Sequence, residues 1–333
     1  MRRLAVPIAV MVCACAPMWA QEAGLPTVDL SFGSPEALDA AARYHFVIMS
    51  DHKGMAPEGE MAPTWEDWGN LIHVQRGVPW IEAQHPAFVV GMGDHLKIGW
   101  GNPWLEWVQE RPWWMASFWP NIADGENEYY GNGQSDWGVG GQYLIDTGVH
   151  LRPNVEIAPS GCEYHARIAV PGGTVHLLQC YYADQPSNPH NAWAPSSRQW
   201  LMERLAAIEK GPGDLVIVGA HSHNGDCLSV LSEGRRRVIL ERADLVLSAT
   251  THHYERHEHG ADQALCINTG SLGFAGQGGN GYVTVHMLDK PEGMLVQYVS
   301  TEEEARLLAP PERCFFVAED GRTYLADLGT GTP

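Results

Sequence analysis

The sequence predicts an α/β sandwich built on mixed sheets, and three observations carry that expectation. Short apolar runs recur between residues 45 and 299. In the first part of the chain they alternate with segments of helical spacing, as parallel strands joined by helices do. Toward the end they follow one another directly, as antiparallel strands do.

Taken in order, the runs at 45–50, 87–92, 164–170, 174–180, 214–219, 244–248, 264–268, 281–287 and 294–299 read as strands. Pro171-Gly172-Gly173 separates two alternating runs and supplies a hairpin turn. The clearest helix is 197–210, where Ser196 or Ser197 stands at the cap position and Trp200, Leu201, Leu205 and Ile208 share one face. No low-complexity linker or repeat divides residues 25–333, so one domain is the simplest organisation.

A chain of 333 residues is long enough to bury a large core. Its 40 acidic against 21 basic residues leave a formal charge of −19. That balance excludes a general binder of nucleic acid or anionic membrane, since no basic surplus displaces counterions. The expected partner is a small molecule. The first 20 residues read as a secretory signal: Met-Arg-Arg, an apolar stretch from Leu4 to about Ala16, and a small residue, Ala20, before Gln21. This predicts a periplasmic or secreted chain with no stable membrane span, with Cys13 and Cys15 marking lipid anchoring as a variant. Five cysteines remain beyond it, and an odd number leaves one thiol over. Cys162 and Cys180 flank the hairpin turn and are the candidates for a bridge.

Polar residues collect where the apolar runs stop. Asp51-His52-Lys53 follows the first and Asp94-His95 the second; Gly125-Glu126-Asn127-Glu128 follows a Trp-rich helix. The run at 214–219 leads into His221-Ser-His223, and that at 244–248 into Thr250-Thr-His252-His253-Tyr-Glu-Arg256. One such strand end is usually a cap or a satisfied polar group. Carboxylates and imidazoles at five, in this order, point to metal chemistry.

With these blocks the chain resembles the calcineurin-like metallophosphoesterases, nearest the purple acid phosphatase-like branch. The blocks that carry the resemblance are Ser50-Asp51-His52-Lys53, Gly93-Asp94-His95-Leu96, Gly125-Glu126-Asn127-Glu128, His221 and Ala249 to Arg256, in an environment that extends over about residues 40–300. The resemblance implies a four-layer α/β/β/α sandwich of two mixed sheets and one or two metal ions (Fe, Zn or Mn) that activate water against a phosphoester or related ester. By the same analogy Asp94 bridges the ions, Asp51 and His252 hold the first, and His221 with Glu126 or Asn127 holds the second. Asn127 and His252 would join Asp94 in catalysis.

The chain also departs from that pattern. Lys53 and Lys97 stand where ligands belong, and an ammonium cannot ligate a cation unless it loses its proton. Thr250 replaces a ligand His, and Asn127 replaces the His that assists the leaving group. His223 and His95 are the substitute ligands, while Lys53, Lys97 and Arg256 are candidates for binding an anionic substrate. Seven of the 13 tryptophans fall between Trp100 and Trp137, with Trp100, Trp104 and Trp107 on one helical face, either as core or as a stacking wall beside the metals. Two functions stay open: an exported metal-dependent hydrolase, and a degenerate member that binds a ligand or metal without turnover or performs other chemistry on this scaffold.

Overall fold

A computed structural model describes residues 25–58, 71–96, 102–123, 126, 129–130, 141–181, 195–222, 226–259, 263–273 and 279–329. Its strands in chain order are β1 (Thr27–Asp29), β2 (Ala42–Met49), β3 (Val89–Gly91), β4 (Phe118–Pro120), β5 (Val155–Ile157), β6 (Tyr164–Val170), β7 (Gly173–Cys180), β8 (Leu215–His221), β9 (Leu245–Ala249), β10 (Tyr254–His257), β11 (Leu265–Thr269), β12 (Gly281–Asp289), β13 (Glu292–Ser300), β14 (Cys314–Ala318) and β15 (Thr323–Asp327). The first sheet has the order β1-β15-β14-β13-β12-β2-β3-β4, the second β10-β11-β9-β8-β7-β6-β5. Both are mixed: β2, β3 and β4 run parallel, as do β7, β8, β9 and β11, and the flanking neighbours are antiparallel apart from the β1–β15 pair.

Side-chain alternation explains why two sheets pack in layers. On β8 and β9, Leu215, Ile217, Leu245 and Leu247 enter a core shared with Phe46, Val285 and Val296 of the first sheet. Their neighbours Val216, Val218 and Val246 point the other way, into a second core with Trp200, Leu201, Leu205, Ile239 and Leu240. A strand covered on both faces reads as a continuous apolar run, the form these segments have in the sequence. The same alternation on β13 and β14 sends Met294 and Phe315 inward and Leu295 and Phe316 outward, where Leu38 packs on them.

Three helices make these outer layers. Leu38 belongs to α1 (Pro35–Ala41), which Ser34 caps through its hydroxyl, accepting from the Ala37 N–H. The helix α6 spans Pro195–Ala207, so Ser196 and Ser197 lie within its first turn and not at its cap, and it ends before residue 210. The helix α7 spans Glu233–Arg242. Between α1 and α6 come α2 (Leu71–Gln84), α3 (Pro103–Gln109), α4 (Pro112–Ser117) and α5 (Gly141–Asp146). No helix among the described residues is long and apolar enough to cross a membrane.

One expectation changes here, and one open alternative is decided. Cys162 and Cys180 do not bridge; none of the five described cysteines forms a disulfide, and all are buried. The hairpin register sets Tyr164 opposite Gln179, which places Cys180 one position away from facing Cys162. The two thiols therefore lie on opposite sides of the sheet, Cys162 in the inner core and Cys180 in the outer. The described tryptophans of the Trp100 to Trp137 segment are core apart from Trp113, which is 37% exposed: Trp104 and Trp114 are fully buried and Trp107 is 5% exposed, packed on one another with ring centroids 5.2–5.3 Å apart. Trp100 and Trp137 lie outside the described residues.

A buried amide pair ties the sheets together below the site. Asn121, just after β4, donates to Gln179 Oε1 on β7 (2.8 Å) and to the Cys180 carbonyl (3.1 Å). Gln179 in turn donates to the carbonyls of Gly91 and Trp119, each at 3.2 Å. Asn121→Ala should destabilise the fold by about 2–4 kcal/mol in urea unfolding, because it leaves buried acceptors without donors. A loss below about 0.5 kcal/mol would show that the tie is dispensable.

Candidate metal centre

Two parallel strands of each sheet end at one place. Asp51 and Asp94 follow β2 and β3, His221 closes β8, and His252 follows β9. The first two turns are joined by the Asp51 N–H donating to the Gly93 carbonyl (3.1 Å) and the Lys53 N–H donating to the Asp94 carbonyl (2.9 Å). His221 Nδ1 donates to the Met92 carbonyl at 2.6 Å and so ties the end of β8 to the turn after β3. That bond places a proton on Nδ1 and turns Nε2 toward the carboxylates, the orientation a metal-ligating imidazole takes. Nε2 faces Asp94 Oδ2 at 3.8 Å.

The turns are strained. Asp51, Lys53, Asp94, Thr250 and His252 have φ values between 51° and 105°. Side chains rarely adopt this region, and for a β-branched residue such as Thr250 it is an outlier, so the packing around the site over-determines these conformations. Gly93, at φ +95°, has no room for a side chain: a Cβ there would meet Ala123 Cβ at 2.6 Å and His221 Nδ1 at 2.9 Å.

Donor atoms of Asp51, Asp94 and His221 all lie within 4.8 Å of one another, and all three residues are buried. His252 Nε2 is 3.2 Å from Asp51 Oδ1. Burial pushes the Asp51 carboxyl up, but His221, the hydrogen bond from His252 and the Lys53 ammonium outweigh it and hold the group well below the usual carboxylate range. Lys53 Nζ forms an ion pair with Asp94 Oδ2 and lies 3.7 Å from Asp51 Oδ1. The lysine expected to meet an anionic substrate thus faces the two carboxylates of the chain itself.

The other candidates have different surroundings. Glu126 is fully buried and accepts four backbone N–H groups, those of Ala123, Asp94, His95 and Leu96, at 2.6–3.2 Å. It braces the turn that carries Asp94 from beneath, and the structure does not gather it with the Asp51, Asp94 and His221 donors. Burial pushes its carboxyl up to about 7 against the pull of those N–H groups. His95, the substitute ligand, has both ring nitrogens engaged: Nε2 accepts from the Gly93 N–H at 3.0 Å, and Nδ1 lies 2.9 Å from His52 Nε2. Burial among Trp104, Phe118 and Tyr143 holds both imidazoles neutral, His52 down at about 3 and His95 lower than its usual range. Arg256 sits on β10, paired with Glu258 at 3.3 Å and 5.8 Å from the Phe315 ring. Lys97, Asn127 and His223 lie outside the described residues.

A second group with metal-ligand chemistry, Asp39, His45 and His286, lies where α1 packs on β2 and β12. The strand register pairs His45 with His286, and their rings stack at 5.2 Å. Asp39 accepts from His286 at 2.8 Å and from both Arg306 nitrogens at 2.7 and 3.1 Å. The guanidinium already neutralises this carboxylate, so the group serves as an ion-paired clamp between α1, β12 and the segment after β13.

No protein-family model matches the chain, and no curated protein sequence matches it. Among solved structures it is similar to a purple acid phosphatase from yellow lupin, Lupinus luteus, at 11% identity and TM-score 0.49, over 85% of this chain and 54% of that one. A dimetal phosphatase from Danio rerio shares 11% identity at TM-score 0.49, over 80% of this chain and 99% of that one. A 5'-nucleotidase from Candida albicans shares 12% identity at TM-score 0.43, over 83% and 54% of the two chains. The chain spans 54% of the length of the lupin phosphatase. These neighbours have the calcineurin-like metallophosphoesterase fold, at identities too low to transfer a site residue by residue.

Glu126→Gln places an amide NH2 against backbone N–H groups and should cost about 2–4 kcal/mol of stability in denaturant unfolding. An unchanged midpoint would show that the four bonds carry little. At the clamp, the Asp39 carboxyl lies below its usual range: burial raises it, and the hydrogen bonds and charges of His286 and Arg306 lower it further. Its contribution is therefore present above the ordinary carboxylate pKa and lost as pH falls through the depressed one. Burial and the neighbouring His286 also hold His45 down to about 4, so stability falls as pH drops from about 6.5 toward that value. Asp39→Asn should be less stable than the parent by about 2 kcal/mol at pH 7, with the gap closing below about pH 4 in thermal unfolding scans. A gap independent of pH would refute the ion-pair account.

Proposed function

We propose that the chain is an exported metal-dependent hydrolase of the calcineurin-like phosphoesterase type, cleaving a phosphoester or related ester. The observation that supports it most is the convergence of Asp51, Asp94 and His221 from strand ends of both sheets, donor atoms within 4.8 Å, in a buried position. The residues present fit a metal ion. Asp51 Oδ2 and Thr250 Oγ1 are buried without a hydrogen-bonding partner. Two carboxylates and an imidazole form a mixed oxygen and nitrogen donor set that suits Zn, Fe or Mn.

Asp51, Asp94 and His221 would hold the ion, with His252 beside Asp51. When bound, it would supply Lewis-acid polarisation of the ester and a nucleophile at neutral pH. The chain's own residues prepare that site. The Met92 carbonyl orients the His221 ring and Glu126 fixes the Asp94 turn. His252 orients Asp51 through its 3.2 Å contact. Burial excludes bulk water from both carboxylates, which strengthens every charge interaction among them. Asn127 would orient the leaving group as an amide, without a proton to give at neutral pH; Lys97 and Arg256 are proposed to meet the anionic part of a small-molecule substrate, and His223 to serve as a further ligand.

A second reading, metal or ligand binding without turnover, is favoured by the ammonium of Lys53 between the carboxylates. Its expected contact surface of tryptophans is weakened, since Trp104, Trp107 and Trp114 are buried. Metal analysis of the purified protein, with a broad panel of phosphoesters and related esters on the parent and on Asp94→Ala, separates the two. Bound metal, with turnover that falls at least about 10²-fold in the variant, is expected for the hydrolase. Metal without Asp94-dependent turnover on any ester would establish a metal-binding protein, and a chain with neither metal nor turnover would overturn the hydrolase reading.

A further inference from the structure

We infer that the buried His52–His95 pair is a positioning device that fixes the separation of the Asp51 and Asp94 carboxylates, and through it the affinity for metal, without touching the ion. The inference rests on the metal-binding function proposed above and names what holds that site in shape.

The strand register creates the need for such a device. Met49 on β2 lies opposite Gly91 on β3. Continued past the strands, that register sets Asp51 opposite Gly93 and His52 opposite Asp94. Side chains alternate along a strand, so Asp51 and Asp94 would then point to opposite faces of the sheet. Their donor atoms nevertheless lie within 4.8 Å of one another. They meet because the chain leaves the strand conformation at Asp51, Lys53, Gly93 and Asp94, where φ lies between 51° and 95°. Backbone in that region persists only where its surroundings hold it.

Two sets of bonds hold it. The first is the backbone lacing of the Asp51 N–H to the Gly93 carbonyl and of the Lys53 N–H to the Asp94 carbonyl. The second runs through the side chains of His52 and His95, each the residue next to one carboxylate and each fully buried, with His52 Nε2 2.9 Å from His95 Nδ1. The direction of this bond is determined. The Gly93 N–H donates to His95 Nε2 at 3.0 Å, so His95 carries its proton on Nδ1 and donates it to His52 Nε2. His52 then holds its own proton on Nδ1, which is buried with no hydrogen-bonding partner.

The surroundings are shaped to this pair. The Trp104 ring lies 4.2 Å from His52 and the Phe118 ring 5.2 Å from His95, and at Gly91 a Cβ would meet His95 Nε2 at 2.4 Å. Two apolar residues would fill the same space without an unmade donor. What the imidazoles add is a directional bond from the neighbour of one carboxylate to the neighbour of the other. Groups that orient metal ligands from behind contribute about 10–100-fold to metal affinity.

The test compares four full-length proteins: the parent, His52→Leu, His52→Gln and Trp114→Phe. Each is stripped with chelator and titrated with Mn²⁺, and its thermal midpoint is measured without metal. Leu fills the space of His52 but cannot accept from His95, whereas Gln offers a carbonyl oxygen in place of Nε2. His52→Leu should bind Mn²⁺ at least about tenfold more weakly than the parent, and His52→Gln within about threefold of it. Trp114→Phe, a cavity in the same aromatic core, should lower the midpoint and leave the affinity unchanged. With Co²⁺ in place of Mn²⁺, the visible absorption band, which reads ligand geometry, should shift in His52→Leu alone. Affinity like the parent's in His52→Leu, or an equal loss in His52→Gln or Trp114→Phe, would overturn the inference and leave the metal site standing. A parent that binds no Mn²⁺ would overturn the metal-binding function itself. Should His52→Leu fail to fold, NMR of the parent labelled with ¹⁵N-histidine decides: a proton on Nε2 of either His52 or His95 would overturn the inference, and protons on both Nδ1 atoms are expected.

Discussion

Two carboxylates buried side by side impose the constraint around which this molecule is organised. Asp51 and Asp94 have almost no access to water, and two anions in such a place repel one another and lose their hydration. The fold must therefore deliver positive charge and N–H donors to them. It does so with the Lys53 ammonium between them and His252 beside Asp51, while His221 faces Asp94 from the other sheet and Glu126 holds the Asp94 turn by accepting its backbone N–H. The left-handed backbone at Asp51, Lys53, Asp94, Thr250 and His252 is the conformational cost of bringing these groups together.

The sandwich makes that concentration of polar groups tolerable. Parallel strands end in register, so β2 with β3 and β8 with β9 deliver their last residues at the same height, and the inter-sheet core holds the two ends face to face. Below them the Asn121 and Gln179 amides and the His221 bond to the Met92 carbonyl supply directional ties that apolar packing lacks. Apolar contacts alone tolerate a slip of an ångström or so between sheets; buried hydrogen bonds do not, because each would be left unmade. A metal site requires that second kind of precision.

Much of the scaffold was legible in the chain. The nine apolar runs correspond to β2, β3, β6, β7, β8, β9, β11, β12 and β13, with ends displaced by at most three residues. Each is buried on both faces or alternates cleanly, which is why composition reveals it. Less legible were β1, β4, β5 and β10, only three or four residues long, and β14 and β15, which add to the first sheet beyond the last expected run. Such elements exist because a neighbour offers an edge, and their own residues carry too short a pattern to announce it.

For the site, the chain by itself determined the chemistry: carboxylates at 51 and 94, imidazoles at 221 and 252, and a lysine at 53, all at the ends of apolar runs. Residue type and strand position are local properties, so they survive in one dimension. Only the tertiary structure decided what each group faces. It turned Lys53 inward onto Asp51 and Asp94, bound Glu126 to four backbone N–H groups, and paired His95 with His52 in an aromatic pocket. It also put Cys162 and Cys180 on opposite sides of a sheet through a one-residue offset in register. Those outcomes depend on distances between residues far apart in the chain, which the packing of two sheets sets and no local pattern encodes.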